Sequence, residues 1–239
     1  ELPWTPGIDA AGEVIEVGAG VEGFKAGDRV FGAAMSGGYA EKATLNALRT
    51  AHIPSNLSFE DCASFPVVLY TAFYAVVVKG GIQPGQTFLI HAGAGGVGSM
   101  AIQIAKASGA KVITTVSSKE KGDVAASLGA DVVVNYRDED FASRCASETG
   151  GQGVDAVIEM VATENFDGSC RALKKGGTMV LLGSGTGKNP TGSISYPPFY
   201  SKDIDVRGMS LFNADSVFPD MLRQVNHLLE AGMVRPLLG

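Results

Sequence analysis

The chain has 239 residues, 45% of them hydrophobic, with 19 Lys and Arg against 25 Asp and Glu for a net charge of −6; this suits one large domain or two modest ones with buried cores. The acidic balance, with no Lys/Arg cluster longer than Lys174-Lys175, argues against a surface that tracks nucleic-acid phosphates. No apolar run approaches the ~20 residues of a membrane span, since even Ala63 to Val78 is interrupted by Ser64, Pro66 and Thr71.

Residues 1 to about 52 hold short β-like runs, Ala11 to Val17, Arg29 to Phe31, Tyr39 to Ala43 and Leu48 to His52, separated by turn clusters such as Gly18-Ala19-Gly20 and Gly27-Asp28. This predicts a small all-β unit. Glu1 opens with neither Met nor a basic-then-apolar signal segment, so the sequence is expected to be part of something longer. From Ser58, a candidate N-cap with Asp61 three residues on, apolar positions predict a helix running to Val78. Asn56-Leu57-Ser58 fits a glycosylation pattern but reads as a turn. The three cysteines, Cys62, Cys145 and Cys170, lack CxxC spacing and fit free thiols in a reducing compartment, with the cytoplasm as the expected location.

After Gln83-Pro84-Gly85 the chain alternates strands and helices. Strands are predicted at 87–91, 111–116, 131–134, 154–158, 177–182 and 204–210, and helices at 96–108, 119–128, 138–148, 163–173 and 216–231. The strands are apolar on both faces, as in Val132-Val133-Val134, which predicts a doubly wound α/β fold with a six-stranded parallel sheet covered by helices.

Between the first of these strands and its helix, Gly93, Gly95 and Gly98 fit the dinucleotide fingerprint. The first allows a sharp turn, the second lets a diphosphate approach the backbone, and the third lets helix and strand pack closely. The phosphates would then meet free N–H groups at the helix start. For NAD, an acid normally ends the second strand and binds the ribose hydroxyls. Here Val116-Ser117-Ser118 occupies that place. Two hydroxyls can donate to a 2′-phosphate and Lys121, one turn on, can supply positive charge, so NADPH is favoured over NADH; Lys121 alone reads first as a solvated helix lysine, and the missing acid tips the balance. Tyr136, at the end of the third strand, fits either the adenosine ribose or plain packing against its helix. Gly183-Ser184-Gly185-Thr186-Gly187-Lys188 fails the Walker pattern, with Asn189 where Ser or Thr should stand, yet it follows a strand and so lies at the ligand crevice.

Taken together, Pro6-Gly7-Ile8-Asp9-Ala10-Ala11-Gly12-Glu13-Val14, Val21 to Val30, Gly37-Gly38-Tyr39-Ala40-Glu41, Tyr70-Thr71-Ala72-Phe73-Tyr74, Ala92 to Gly98 and Ile158-Glu159-Met160-Val161-Ala162 resemble, in order and spacing, the medium-chain dehydrogenase/reductase superfamily. Within it the chain is most similar to the zeta-crystallin type of NADPH:quinone oxidoreductase. The resemblance implies a GroES-like β domain before a Rossmann domain, with part of the β domain lying before Glu1 and a last helix and strand after Gly239. It divides the chain into 1–66 (substrate domain), 67–210 (NADPH domain) and 211–239 (a helix returning to the first). It also implies NADPH contacts from Thr71, Tyr74, Gly96, Val97, Ser117, Ser118, Lys121, Tyr136, Val161, Gly183, Ser184, Leu211 and Phe212. Thr71 and Tyr74, three apart, share a helix face; without the resemblance they read equally as core helix.

Zinc members of the superfamily carry Gly-His-Glu where this chain has Gly7-Ile8-Asp9, and isoleucine cannot ligate a metal. Their four-cysteine lobe is replaced by Phe31 to Ser36, which holds no cysteine, so neither zinc is expected. His52, His91 and His227 are scattered and read as surface or core residues. The resemblance thus implies an enzyme that passes hydride from NADPH to an acceptor already electrophilic, a quinone or, alternatively, a 2-enoyl or alkenal substrate. A third reading is a nucleotide-bound structural or RNA-binding protein, against which the charge of −6 weighs. Asp9, Met35, Ser36, Tyr39 and Leu69 are candidate cleft residues with no catalytic role assigned. A homodimer paired through the strand near 204–210 is also implied.

Overall fold

A computed structural model describes residues 3–34, 36–183 and 193–237. They divide into two compact units, one of residues 1–70 with 214–239 and the other of residues 71–213.

In the first unit three strands, β1 (Asp9–Glu13), β2 (Arg29–Ala33) and β3 (Thr50–His52), form an antiparallel sheet in that order. β1 ends sooner than its apolar run suggests. The ladder reaches Val14, whose N–H meets Asp28 O at 2.9 Å, and Ile15 then turns out to solvent. The run from Tyr39 to Ala43 is not a strand: every residue in it is exposed, so it has no face to bury, and the Tyr39 N–H is taken by Pro6 O at 2.9 Å. Phe31 is fully buried, edge-on to Phe65 at 5.6 Å and stacked with Tyr70 at 6.3 Å. The last helix, α8 (Phe218–Glu230), turns Phe218, Met221, Val225 and Leu229 into this unit. Tyr70 meets Phe218 at 5.6 Å, and the buried Arg49 guanidinium lies 5.4 Å over the Phe218 ring while binding Asp215 at 2.7 Å.

The helix predicted from Ser58 to Val78 is divided. α1 (Phe59–Ala63) opens with the expected Ser58/Asp61 reciprocal cap. Pro66 then ends the run, because it lacks an N–H and drives its predecessor from helical geometry. α2 (Pro66–Phe73) follows, with the Val67 N–H held by the Asp9 carboxylate at 2.7 Å. From Tyr74 to Lys79 the winding widens to a π-helix, closed by Gly80 N–H to Ala75 O at 2.8 Å. A Cβ at Gly80 would lie 2.6 Å from Val76 O, so only glycine fits this exit.

The second unit matches the expected α/β fold. Among the described residues, β4 (Thr87–Ile90), β5 (Lys111–Val116), β6 (Val132–Asn135), β7 (Val154–Glu159), β8 (Leu173–Leu181) and β9 (Asp205–Gly208) form one parallel sheet in the order β6-β5-β4-β7-β8-β9. Helices α3 (Gly96–Ala107), α4 (Lys119–Ser127), α5 (Phe141–Glu148) and α6 (Phe166–Ala172) connect the strands, and α7 (Pro197–Lys202) precedes β9. Phe88, Leu89 and Ile90 are all fully buried, so both faces of the central strand are covered. One core gathers Leu89, Ile113, Val134, Val157, Cys170 and Met179; each such side chain contributes about 1.5–3 kcal/mol by leaving water. No helix among the described residues is long and apolar enough to cross a membrane.

Candidate functional site

Strand order reverses between β4 and β7, and in a parallel sheet every strand's carboxyl end faces the same edge. The loops after β4, β5, β6, β7, β8 and β9 therefore open together. They carry Gly93 to Gly98, Ser117 and Ser118, Tyr136, Val161, Gly183, and Leu211 with Phe212.

The sharp turn after β4 falls one residue earlier than the fingerprint suggests. Ala92, at φ +52°, takes the left-handed conformation. Gly93 serves close packing instead, since a Cβ there would run into the Thr114 hydroxyl. A Cβ at Gly98 would press on Ala92 O, which fits its expected role in packing helix on turn. Gly95 is exposed and caps α3 in extended geometry. Among the described residues, the first helical N–H to be bonded is that of Ser99, to Gly95 O at 2.8 Å. The N–H groups of Gly96, Val97 and Gly98 precede it and project from the helix start, a cradle suited to phosphate oxygens.

At the end of β5 the expected cluster is assembled. Lys121 Nζ donates to Ser117 Oγ at 3.2 Å, and Ser118 Oγ accepts from the Lys121 N–H at 3.4 Å as the N-cap of α4. No acid ends this strand. Glu120, one residue before Lys121, is solvent-exposed and is held below the usual carboxylate range by a hydrogen bond from Ser118. Tyr136 is 53% exposed beside this cluster's strand, its N–H on Val116 O at 3.1 Å.

The other positions lie on separate elements. Thr71 is half-buried on α2; Tyr74 begins the π-helix, buried, with the Lys79 ammonium 5.3 Å from its ring centroid. The π-helix packs on α3. Gly183 follows β8 against Met160, whose carbonyl a Cβ would strike. Leu211 is buried and Phe212 is 57% exposed in the short 3-10 turn after β9. Ser184 and the rest of the Gly183–Lys188 segment lie outside the described residues, as does Met35. Of the remaining cleft candidates in the first unit, Asp9 is engaged with Val67, Leu69 is buried, and Ser36 and Tyr39 are exposed. Burial outweighs the Val67 hydrogen bond at Asp9 and pushes its carboxyl upward.

Sequence reasoning missed what lies beneath the turn. His91 is a core histidine, fully buried, with Nδ1 2.9 Å from Thr115 Oγ1 and Nε2 3.0 Å from Ser169 Oγ. Ser169 Oγ in turn donates to Glu159 Oε2 at 2.5 Å, and Glu159 Oε1 accepts the N–H groups of Val161 and Ala162 at 2.8 and 2.9 Å. Burial lowers the His91 pKa, against the upward pull of Glu159. The available signal was Glu159 directly after the apolar run Ala156-Val157-Ile158, since a charge in such a buried position must be paired.

A doubly wound parallel sheet with a glycine turn at its switch point defines a dinucleotide-binding Rossmann unit. The alcohol dehydrogenase GroES-like domain family matches residues 1–55, and the zinc-binding dehydrogenase family matches residues 96–227. The quinone oxidoreductase of Sus scrofa is 34% identical over 242 residues, covering all of this chain and 72% of that protein. Among solved structures, Escherichia coli quinone oxidoreductase complexed with NADPH superposes with a TM-score of 0.88 at 33% identity, covering 100% of this chain and 74% of that one. CurK enoyl reductase superposes with a TM-score of 0.85 at 29% identity, covering 98% and 70%. The chain belongs to the medium-chain dehydrogenase/reductase superfamily, in its zeta-crystallin-type quinone oxidoreductase branch.

Proposed function

We propose that this protein is an NADPH:quinone oxidoreductase. The observation that carries the reading is the likeness, along the whole chain, to quinone oxidoreductases, one of them solved with NADPH. The residues present suit that cofactor. Glycines leave room where a Cβ would collide, three N–H groups stand free at the start of α3, and Ser117 with Lys121 replaces the acid that would favour NAD. When bound, NADPH supplies a hydride to the electrophilic acceptor.

The chain's own part is binding and orientation. Gly96, Val97 and Gly98 hold the diphosphate through backbone N–H groups; Ser117, Ser118 and Lys121 hold the 2′-phosphate; Tyr136 lies along the adenosine ribose. Thr71 and Tyr74 would face the nicotinamide end, and Val161, Gly183, Leu211 and Phe212 would add contacts to NADPH, a role that the resemblance also gives Ser184. Orientation and exclusion of water then account for rate, and a quinone oxygen takes its proton from solvent. We assign residues 1–66 to the substrate side, 67–210 to NADPH, and 211–239 to the helix returning to the first. A cytoplasmic homodimer paired through β9, the sheet's edge strand, completes the reading.

The likeness to an enoyl reductase supports a second reading, hydride delivery to an α,β-unsaturated carbonyl. NADPH oxidation followed with a quinone and an enone in parallel separates the two. Faster turnover with the quinone is expected; turnover with the enone alone selects the second reading, and none with either overturns both.

A further inference from the structure

The buried polar chain beneath the cofactor crevice lies wholly within the second unit and joins two of its loops. At one end, Thr115 fastens the turn after β4: its hydroxyl is 3.3 Å from the Ala92 N–H and its carbonyl accepts the Gly93 N–H at 3.0 Å. At the other, Glu159 fastens the loop after β7 through Val161 and Ala162, the latter at φ +62°. Ala92 and Ala162, two of the three non-glycine residues with positive φ among those described, are thus each held by one end of the same chain. Left-handed conformations at non-glycine residues persist where their surroundings fix them.

Hydrogen counting gives the chain one direction. Glu159 Oε1 accepts the Val161 and Ala162 N–H groups, and Oε2 takes the Ser169 hydroxyl hydrogen. Ser169 must spend its single hydrogen on Glu159, and His91 Nε2 must therefore carry a hydrogen toward Ser169. Nδ1 is left as an acceptor, which suits the Thr115 hydroxyl at 2.9 Å and the Asn165 amide nitrogen at 3.3 Å. The same Nε2 hydrogen also faces Glu159 Oε2 at 3.3 Å, so each donor has a place in this arrangement.

We propose that His91, Ser169 and Glu159 are positioning residues that lock the glycine turn and the Val161-Ala162 loop into a single arrangement, so that the two sides of the NADPH crevice act as one unit. The inference rests on the NADPH reading above. Replacing Glu159 by Gln reverses the chain: the amide donates to Ser169, the serine hydrogen turns to Nε2, and Nδ1 gains the ring hydrogen.

The test is a double-mutant cycle on NADPH affinity with Glu159→Gln and Thr115→Val, accompanied by imidazole 15N NMR. Each single replacement is expected to weaken NADPH about tenfold, and the pair far less than the ~hundredfold product, because residues in one network couple. The His91 ring should be neutral and Nε2-protonated in the unaltered protein, and Nδ1-protonated in E159Q. Multiplicative losses, or a wild-type ring protonated at Nδ1, would overturn the inference while leaving the NADPH reading intact. Failure of the unaltered protein to bind NADPH would overturn both. Should E159Q not fold, Ser169→Ala takes its place in the cycle, with the same expectation of non-additive loss.

Discussion

In the proposed function, the preference for NADPH is assigned to one amine, Lys121, held in place by one hydroxyl. Lys121 Nζ is held by Ser117 Oγ at 3.2 Å, and under the proposed function that ammonium would meet the 2′-phosphate. Lys121→Ala should raise KM for NADPH by about tenfold, the scale of a lost charge-assisted hydrogen bond, with little change for NADH; equal effects in steady-state kinetics would refute the role. Glu120 acts in the opposite sense, as a negative charge one residue away. Glu120→Gln should tighten NADPH about twofold at low salt, an effect that fades as salt is added. Ser117, Ser118 and Lys121 were legible in the sequence because they are neighbours along it. Ala92 was not, because glycine draws attention as the default left-handed residue, whereas here the neighbouring alanine takes that conformation and Gly93 answers to Thr114.

At the level of elements, the alternating strands and helices of the second unit were readable because the strands centre on short apolar runs and turn residues separate them from the helices. The interrupted passage from Ser58 to Lys79 was only half readable. Pro66 marks the first break, but the π-helical winding depends on which carbonyl each N–H selects, a choice that apolar spacing does not record. Tertiary caps are equally silent. Lys202, from α7, donates to the carbonyls of Cys170, Arg171 and Leu173 at 3.2, 2.7 and 2.6 Å, closing the end of α6. Lys202→Met keeps the stem but leaves those carbonyls without their donor, and should cost about 1–3 kcal/mol in chemical denaturation. A loss much below that would show that water replaces the amine.

For the whole molecule, acid is expected to act through carboxylates whose pKa folding depresses. Arg171 and the Ser143 N–H hold Asp140 well below the usual range, and at Asp131 burial pushes upward but Lys106 and the Val112 N–H prevail. The folded values lie below the unfolded value of about 4, so this stabilisation is present above that pH and is lost as pH falls through the folded values. Melting temperature should drop as pH is taken from about 5 to about 2, and Asp140→Asn should flatten part of that slope; an unchanged slope would remove Asp140 from the account. The division into units has a consequence during synthesis. Residues 71–213 are contiguous, whereas the unit around Phe31 and Tyr70 needs Phe218 and its helix, which leave the ribosome later. The second unit can thus close while the first still lacks its closing helix, so a chain truncated after Asn213 and released from the ribosome should present a protease-resistant sheet and an open, cleavable amino-terminal segment.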